Sequence, residues 1–138
     1  MPTSTVIYKG ELSTEAIHLE SDSKLITDAP LDNNGLGRTF SPTDLLATSL
    51  ASCMLTIMGI RARDSGWDIS GTRAEVTKTM ASDPRRISRV TVEIEIMDRG
   101  MSERQRKILE KAALTCPVAL SLSDAVMQNV SFRYRQED

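Results

Sequence analysis

The feature that most constrains this chain is Leu45–Ile60, a run of 16 residues without a charged side chain. The run is shorter than the roughly 20 apolar residues that a helix needs to span a bilayer. It also contains four hydroxyl-bearing residues. We therefore predict a buried helix. Because apolar side chains lie all round it, the pattern indicates a helix that is buried on every side.

The residues before this run are typical of a helix start. Ser41 can act as the N-cap, Pro42 fits the first turn, and Asp44 lies near the positive end of the helix dipole. We predict that the helix continues to about Ser65 or Gly66. A single chain of 138 residues has little material left to wrap such a helix completely, and this favours a dimer.

Alternating apolar and polar residues flank this helix on both sides. They predict six strands, at residues 3–10, 14–20, 24–30, 71–80, 87–97 and 130–135. A capping box that begins at Ser102 predicts a second helix, which Pro117 should break. The expected architecture is α+β with mostly antiparallel pairing, in one domain over residues 1–138.

Composition narrows the classes of function. Hydrophobic residues make up 40% and charged residues 26%, as in an ordinary globular protein. The net charge of −2 and an aromatic share of 4% do not fit a nucleic-acid binder. The N-terminal residues lack the basic and then apolar pattern of a secretory signal, so we expect a cytoplasmic protein.

The two cysteines, Cys53 and Cys116, are the candidates for chemistry. A static disulfide is not expected in a reducing cytosol, and His18 has no partner at metal-ligand spacing. Cys53 lies about 12 residues into the long helix, too far for strong activation by the dipole. Cys116 precedes a proline break and could move, as a resolving cysteine must. From the residues alone, both packing and redox roles stay open.

Two segments resemble the signature segments of the OsmC/Ohr family, the osmotically inducible and organic-hydroperoxide-resistance proteins. They are "SPTDLLATSLASCM" at 41–54 and "AALTCPVALSLS" at 112–123. The stretch "DSGWDISGTRAEVTKTM" followed by "RRISRVTVEIEI" is similar to the central hairpin of OsmC-like proteins. The likeness covers most of the chain in the right order.

The resemblance implies an OsmC-like fold, in which a mostly antiparallel sheet wraps a long buried central helix in an intertwined homodimer. It also implies a thiol peroxidase, an antioxidant stress-response protein that reduces organic hydroperoxides without haem, flavin or metal. Cys53 would be the peroxidatic thiol and Cys116 the resolving one. Their disulfide would be reopened by an external dithiol.

The sequence departs from the family pattern around the thiol. Typical peroxidase members read Asn-Pro-Glu where this chain reads Ser41-Pro42-Thr43, so that Thr43 takes the glutamate position and Asp44 follows it. The family also uses an N-terminal arginine to hold the thiolate. Arg38 is the first arginine here, and we name Arg38, Thr43 and Asp44 as candidates for activating Cys53. The chain looks closer to the OsmC-like branch than to the best-known peroxidases.

Two alternative functions compete with the peroxidase. In the first, a non-catalytic relative binds a small lipophilic ligand at the dimer interface. In the second, the two thiols form a redox sensor that is oxidised once and does not turn over. A structure distinguishes them by whether the two sulfurs lie together and whether a cation lies near Cys53.

Overall fold

The computed structural model describes residues 1–137. The strands are β1 (Ser4–Gly10), β2 (Ser13–His18), β3 (Ser23–Asp28), β4 (Arg73–Ala81), β5 (Arg86–Asp98) and β6 (Met127–Gln136). The helices are α1 (Pro42–Asp64), α2 (Glu103–Leu114) and α3 (Pro117–Ser121), with a 3₁₀ turn at Leu31–Asn33. The α+β class predicted from the sequence is confirmed.

The chain divides into two compact units, Met1–Leu46 and Ala47–Asp138. The boundary falls inside α1, between the first and second turns of that helix. Each unit holds one three-stranded sheet. The single domain expected over residues 1–138 stays a prediction.

The first unit is an antiparallel meander in the order β1-β2-β3. Within residues 1–46 the buried residues are all polar, namely Ser13, Thr27, Asp28 and Ser41. Its large apolar side chains are exposed, including Val6 and Tyr8 on one face of β1 and Ile7 on the other. This unit therefore has no apolar core of its own.

The second unit contains the hydrophobic core. Its sheet has the order β4-β5-β6, with β4 antiparallel and β6 parallel to the central β5. The strict alternation of β5 buries one face, as its sequence predicts: Val90, Val92, Ile94 and Ile96. The parallel strand β6 is reached through a crossover that contains α2 and α3.

Helix α1 begins with the predicted cap. Asp44 N donates to Ser41 Oγ at 3.1 Å, and Ser41 N donates to Asp44 Oδ2 at 3.0 Å. This is a capping box with aspartate in place of the usual glutamate. The backbone N–H groups of Ser41 and Asp44 are thus both satisfied by side chains, and this fixes where the helix starts.

The expectation that α1 is buried on every side does not hold in one chain. Leu50, Met54 and Met58 are fully buried in the core. Leu46, one turn before Leu50 at the N-terminal end of the helix, and Ile60, on another face, are 37% and 41% exposed. By length and composition alone α1 could span a membrane, but the core helix of a soluble protein meets the same criterion.

Helix α2 contributes Leu109 and Ala113 to the hydrophobic core. The capping box predicted at its start is present, since Gln105 N donates to Ser102 Oγ and Ser102 N donates to Gln105 Oε1. The helix ends at Leu114, and α3 begins at Pro117. Pro117 therefore interrupts the helical segment where the sequence predicts.

A polar cluster fixes α2 against the ends of β5 and β6. Arg106 Nη2 donates to the buried carboxylate of Asp98 at 2.5 Å, and its guanidinium lies 4.1 Å from the centre of the Tyr134 ring. The Tyr134 hydroxyl donates to the Glu110 carboxylate on the same helix. These contacts set the position of the helix that leads to Cys116.

Candidate functional site

The first sulfur of the site, on Cys53, lies in the middle of α1. The side chain is partly buried and packs against the hydrophobic core. Within residues 47–137, the thiol of Cys116 lies within hydrogen-bonding reach of this sulfur. The structure thus brings together the two cysteines that the sequence pairs by resemblance.

The second sulfur is placed by a proline. Pro117 disfavours helical backbone at the residue before it, and Cys116 is accordingly extended, with φ −67° and ψ 154°. Cys116 forms the N-cap of α3, where its Sγ accepts a hydrogen bond from Ala119 N at 3.5 Å. Its side chain is fully buried. The sulfur therefore lies in the core, and the mobility predicted for Cys116 stays a prediction.

The surroundings of Cys116 favour its neutral form. Burial raises the pKa of the Cys116 thiol, and the hydrogen bond and charge of the neighbouring Cys53 raise it further. Backbone N–H groups of Val118 and Ala119 oppose these effects only in part. Because the thiolate is the nucleophile, Cys116 is poorly suited to attack first.

A cleft of about 480 Å³ lies between α1 and α2. Ile57, one helical turn after Cys53, and Ala112, four residues before Cys116 in sequence, both line it. The remaining lining residues are Arg61, Ile108, Lys111 and Thr115. The cleft combines apolar side chains with two basic ones.

In the first unit, Arg38 is bound to a carboxylate that the sequence analysis did not single out. Its Nε and Nη2 donate to Asp28 Oδ2 and Oδ1, each at 2.9 Å, and its backbone N donates to Oδ2 at 2.9 Å. This bidentate pair holds the pKa of the buried Asp28 carboxyl well below its usual range. An acidic residue at a strand end, ten residues before an arginine, is too weak a signal to have been recognised.

Asp44 and Thr43 have local roles at the start of α1. The Asp44 carboxylate completes the capping box with Ser41, and Thr43 Oγ1 lies 3.2 Å from Ser41 Oγ. Both residues precede Cys53 by two to three helical turns on the same helix. Their expected role in activating the thiolate stays a prediction, as does that of Arg38.

Metal ligation was not expected from the sequence. Among residues 1–137 there is no group of three or more histidine, cysteine, aspartate or glutamate residues that could hold a metal ion. The chemistry that the described residues offer is that of two neighbouring thiols.

Several solved structures are similar to this chain over most of its length. The chain is 56% identical to a candidate osmotic stress induced and detoxification response protein from Psychrobacter arcticus 273-4, with a TM-score of 0.92 and 96% of each chain covered. An OsmC like protein from Mycoplasma pneumoniae is 19% identical, with a TM-score of 0.78 over 95% of this chain and 94% of that one.

A third similar structure is an organic hydroperoxide resistance protein OsmC from Legionella pneumophila. It is 16% identical, with a TM-score of 0.70 over 96% of this chain and 97% of that one. At such identities the likeness shows the shared fold. A search of curated protein sequences found no match.

The family comparison agrees with these structures. The model of the OsmC-like protein family matches residues 35–131, which include both cysteines and most of the second unit. The family resemblance inferred from the sequence is confirmed. The chain belongs to the OsmC-like protein family.

Proposed function

We propose that this protein is a cysteine-based peroxidase that reduces organic hydroperoxides. The observation that carries the proposal is the pair of neighbouring thiols with unequal surroundings. Cys53 is partly exposed, whereas Cys116 is buried and has a raised pKa. Cys53 can thus contact a substrate, while Cys116 remains a neutral thiol.

In the first step the Cys53 thiolate attacks one oxygen of the hydroperoxide. A new S–O bond forms and the O–O bond breaks, so that sulfur is oxidised to a sulfenic acid and the peroxide is reduced to an alcohol. The leaving alkoxide takes up a proton. No cofactor is needed for this two-electron exchange.

In the second step Cys116 attacks the sulfenic sulfur. An S–S bond forms, the S–O bond breaks, and the departing hydroxide combines with the Cys116 proton as water. Oxidation also removes the negative charge of the Cys53 thiolate. Since that charge helps to raise the pKa of Cys116, the resolving thiol becomes easier to deprotonate when it is needed.

We propose Arg38 as the cation that activates Cys53, with Asp44 or Thr43 in the place of the family glutamate. Arg38 is already oriented by its fork-like contact with Asp28. A guanidinium held in this way keeps a fixed direction that a lysine could not copy. The proposal rests on the family pattern and on this local geometry.

We further propose that the protein acts as a homodimer. The first unit has apolar side chains on both faces of its sheet and no buried apolar residue within residues 1–46. Leu46 and Ile60 of α1 are also exposed. A second copy that covers these side chains would supply the burial that one chain lacks.

Family membership and the 56% identical relative from Psychrobacter arcticus support a role in stress or redox response. In this proposal the small-molecule partner is a hydroperoxide, and an external dithiol returns the disulfide to two thiols.

Consumption of tert-butyl hydroperoxide with dithiothreitol tests the proposal. We expect turnover by the wild type and loss of turnover in Cys53→Ser. Without dithiothreitol, Cys116→Ser should consume about one equivalent of peroxide and accumulate a sulfenic acid that dimedone traps. Equal rates in the wild type and Cys53→Ser would refute the mechanism.

The same assay separates the redox sensor from the enzyme. A wild type that forms one disulfide and then stops, although dithiothreitol is present, would favour the sensor. The buried position of Cys116 makes this comparison worthwhile, since access to the disulfide limits its reduction. Multiple turnovers would exclude a single-use sensor.

A further inference from the structure

A strip of basic side chains runs along α2 towards the two cysteines. We define the basic strip as Arg104, Lys107 and Lys111 of α2 together with Arg61 of α1. We infer that this strip docks an acidic protein that carries the reducing dithiol. The inference rests on the proposed function, because it concerns the reduction of the Cys53–Cys116 disulfide.

The cations of the basic strip form no ion pairs within the second unit. All four side chains are exposed, and none forms an ion pair with another residue in 47–137. The neighbouring cations differ: Arg63, Arg106 and Arg133 each pair with a carboxylate. The strip therefore presents four cations without a close ion pair to the solvent, with the Glu103 carboxylate in the lining of the same cleft as Arg104 and Lys107.

The geometry of α2 makes these charges one surface. Arg104, Lys107 and Lys111 are three and four residues apart, a spacing that places them on the same face. They extend over about 10 Å at the rise of an α-helix. Ile108 lies between them and lines the adjoining clefts with Lys111.

The inner end of the strip meets the site of the chemistry. Lys111 and Arg61 line the same cleft as Ile57 and Ala112. Ile57 is one helical turn from Cys53, and Ala112 is four residues before Cys116, which lies beyond the end of α2. A partner seated along the strip would thus bring its dithiol close to the disulfide.

The extent of the strip favours a protein over a small anion. One carboxylate would be satisfied by the two cations at the cleft, whereas the strip continues along α2 to Arg104. The chain as a whole has a net charge of −2. Because the basic residues are concentrated on one face, the positive charge of that face selects the partner, although the net charge of the chain is negative.

The reaction at this surface is thiol–disulfide exchange. A thiolate of the partner attacks one sulfur of the Cys53–Cys116 disulfide, forming a mixed disulfide and releasing the other cysteine as a thiolate. The second thiol of the partner then displaces the bound cysteine. The partner ends as a disulfide, and both cysteines end reduced.

Two synthetic dithiol peptides serve as probes, one flanked by glutamates and one by glutamines. The full-length protein is first oxidised with tert-butyl hydroperoxide or, independently of peroxidase activity, with diamide. The second-order rate of reduction is measured for each peptide and for neutral dithiothreitol at low and high salt. The variant is Arg104→Glu/Lys107→Glu, whose residues do not line the cleft beside the cysteines, and the charge-matched control is Lys9→Glu/Arg89→Glu.

For the wild type and the control we expect the glutamate peptide to be faster by about tenfold at low salt. High salt should remove this advantage. The variant should lose it at any salt concentration while its reduction by dithiothreitol stays unchanged. Unchanged dithiothreitol kinetics would also show that the variant is folded.

Equal rates for the two peptides with the wild type would overturn the inference, and so would an equal loss in the control. Binding to phosphatidylglycerol vesicles that requires Arg104 and Lys107, without any peptide preference, would assign the strip to a membrane surface and also overturn it. If the peroxidase assay fails but the diamide-oxidised protein is still reduced faster by the glutamate peptide, only the proposed function is refuted. Failure to form the disulfide with either oxidant would refute both.

Discussion

Cys116 is fully buried, and its pKa is raised first by burial and then by the neighbouring Cys53, which is partly exposed. This relationship makes the two thiols unequal before any substrate arrives. It favours first attack by Cys53 and resolution by Cys116. The same asymmetry can be measured without a peroxide.

Iodoacetamide should label Cys53 well before Cys116 in the reduced native protein. Site-resolved mass spectrometry against time measures the two rates. In Cys53→Ala, Cys116 should react faster than in the wild type, because one cause of its raised pKa is gone. It should still react more slowly than in the unfolded chain, since burial remains. Faster labelling of Cys116 than of Cys53 in the wild type would contradict the assignment.

Asp44→Ala should lower the free energy of unfolding by about 1 kcal/mol through loss of the capping box. Ser41→Ala removes the other half of the same box and is the matched control. If Asp44 also activates Cys53, peroxidase activity should fall more in Asp44→Ala than in Ser41→Ala. Urea unfolding and peroxide consumption measure the two effects. Equal activity in the two variants would restrict Asp44 to capping.

Acid should destabilise the wild type partly through Asp98. Its carboxylate accepts hydrogen bonds from Met101 N at 2.7 Å and Gly100 N at 2.9 Å and pairs with Arg106, and these contacts lower its pKa. The native state therefore binds this proton more weakly than the unfolded state. The stabilisation is present above the unfolded pKa and is lost as the pH falls through the native value.

Asp98→Asn should consequently be less stable at neutral pH and lose less stability on acidification below about pH 3.9, the ordinary pKa of an aspartate. Urea unfolding over a pH series measures both quantities. The exposed Asp124 offers a control, Asp124→Asn, which should change the free energy of unfolding at neutral pH by less than about 0.5 kcal/mol. Parallel profiles for Asp98→Asn and the wild type would contradict the role of this carboxylate.

Leu109→Ala should cost about 2–5 kcal/mol of unfolding free energy, because Leu109 is fully buried and its truncation leaves a cavity. Lys107→Ala, on the exposed face of the same helix, should change stability by less than about 0.5 kcal/mol. Chemical denaturation of both variants tests the packing of α2. Similar losses in the two would contradict it.

Light scattering after size exclusion should give a mass of about twice 15.2 kDa. Ile60→Glu, which places a charge on an exposed apolar position of α1, should shift the protein towards the monomer. Arg89→Glu reverses a charge at an exposed position of β5, outside the surfaces assigned to the dimer, and should leave the mass unchanged. A monomeric wild type at micromolar concentration would refute the dimer.

Much of the fold could be predicted from local patterns. The caps at Ser41 and Ser102, the alternation of β5 and the break at Pro117 are each determined by a few neighbouring residues. Parallel pairing of β6 with β5 was not foreseen. Strand alternation fixes which face is buried but not the direction of a neighbouring strand.

Only part of the site could be predicted from the sequence. Resemblance named Cys53 and Cys116, and the structure makes them neighbours. The Asp28–Arg38 pair depends on a loop that returns to the end of β3. Likewise, whether the basic strip stays without ion pairs within residues 47–137 depends on which other cations pair with the carboxylates of those residues. Both are products of tertiary packing, which no local pattern reports.

The crossover between β5 and β6 gives the site one more property. Cys53 and Cys116 are 63 residues apart in sequence, and Cys116 lies within the connection that must be complete before β6 can join the sheet. An unfinished or unfolded chain therefore has two distant, ordinary thiols. Pairing of the two sulfurs would thus report that folding is complete, because only a chain whose crossover has formed holds them together.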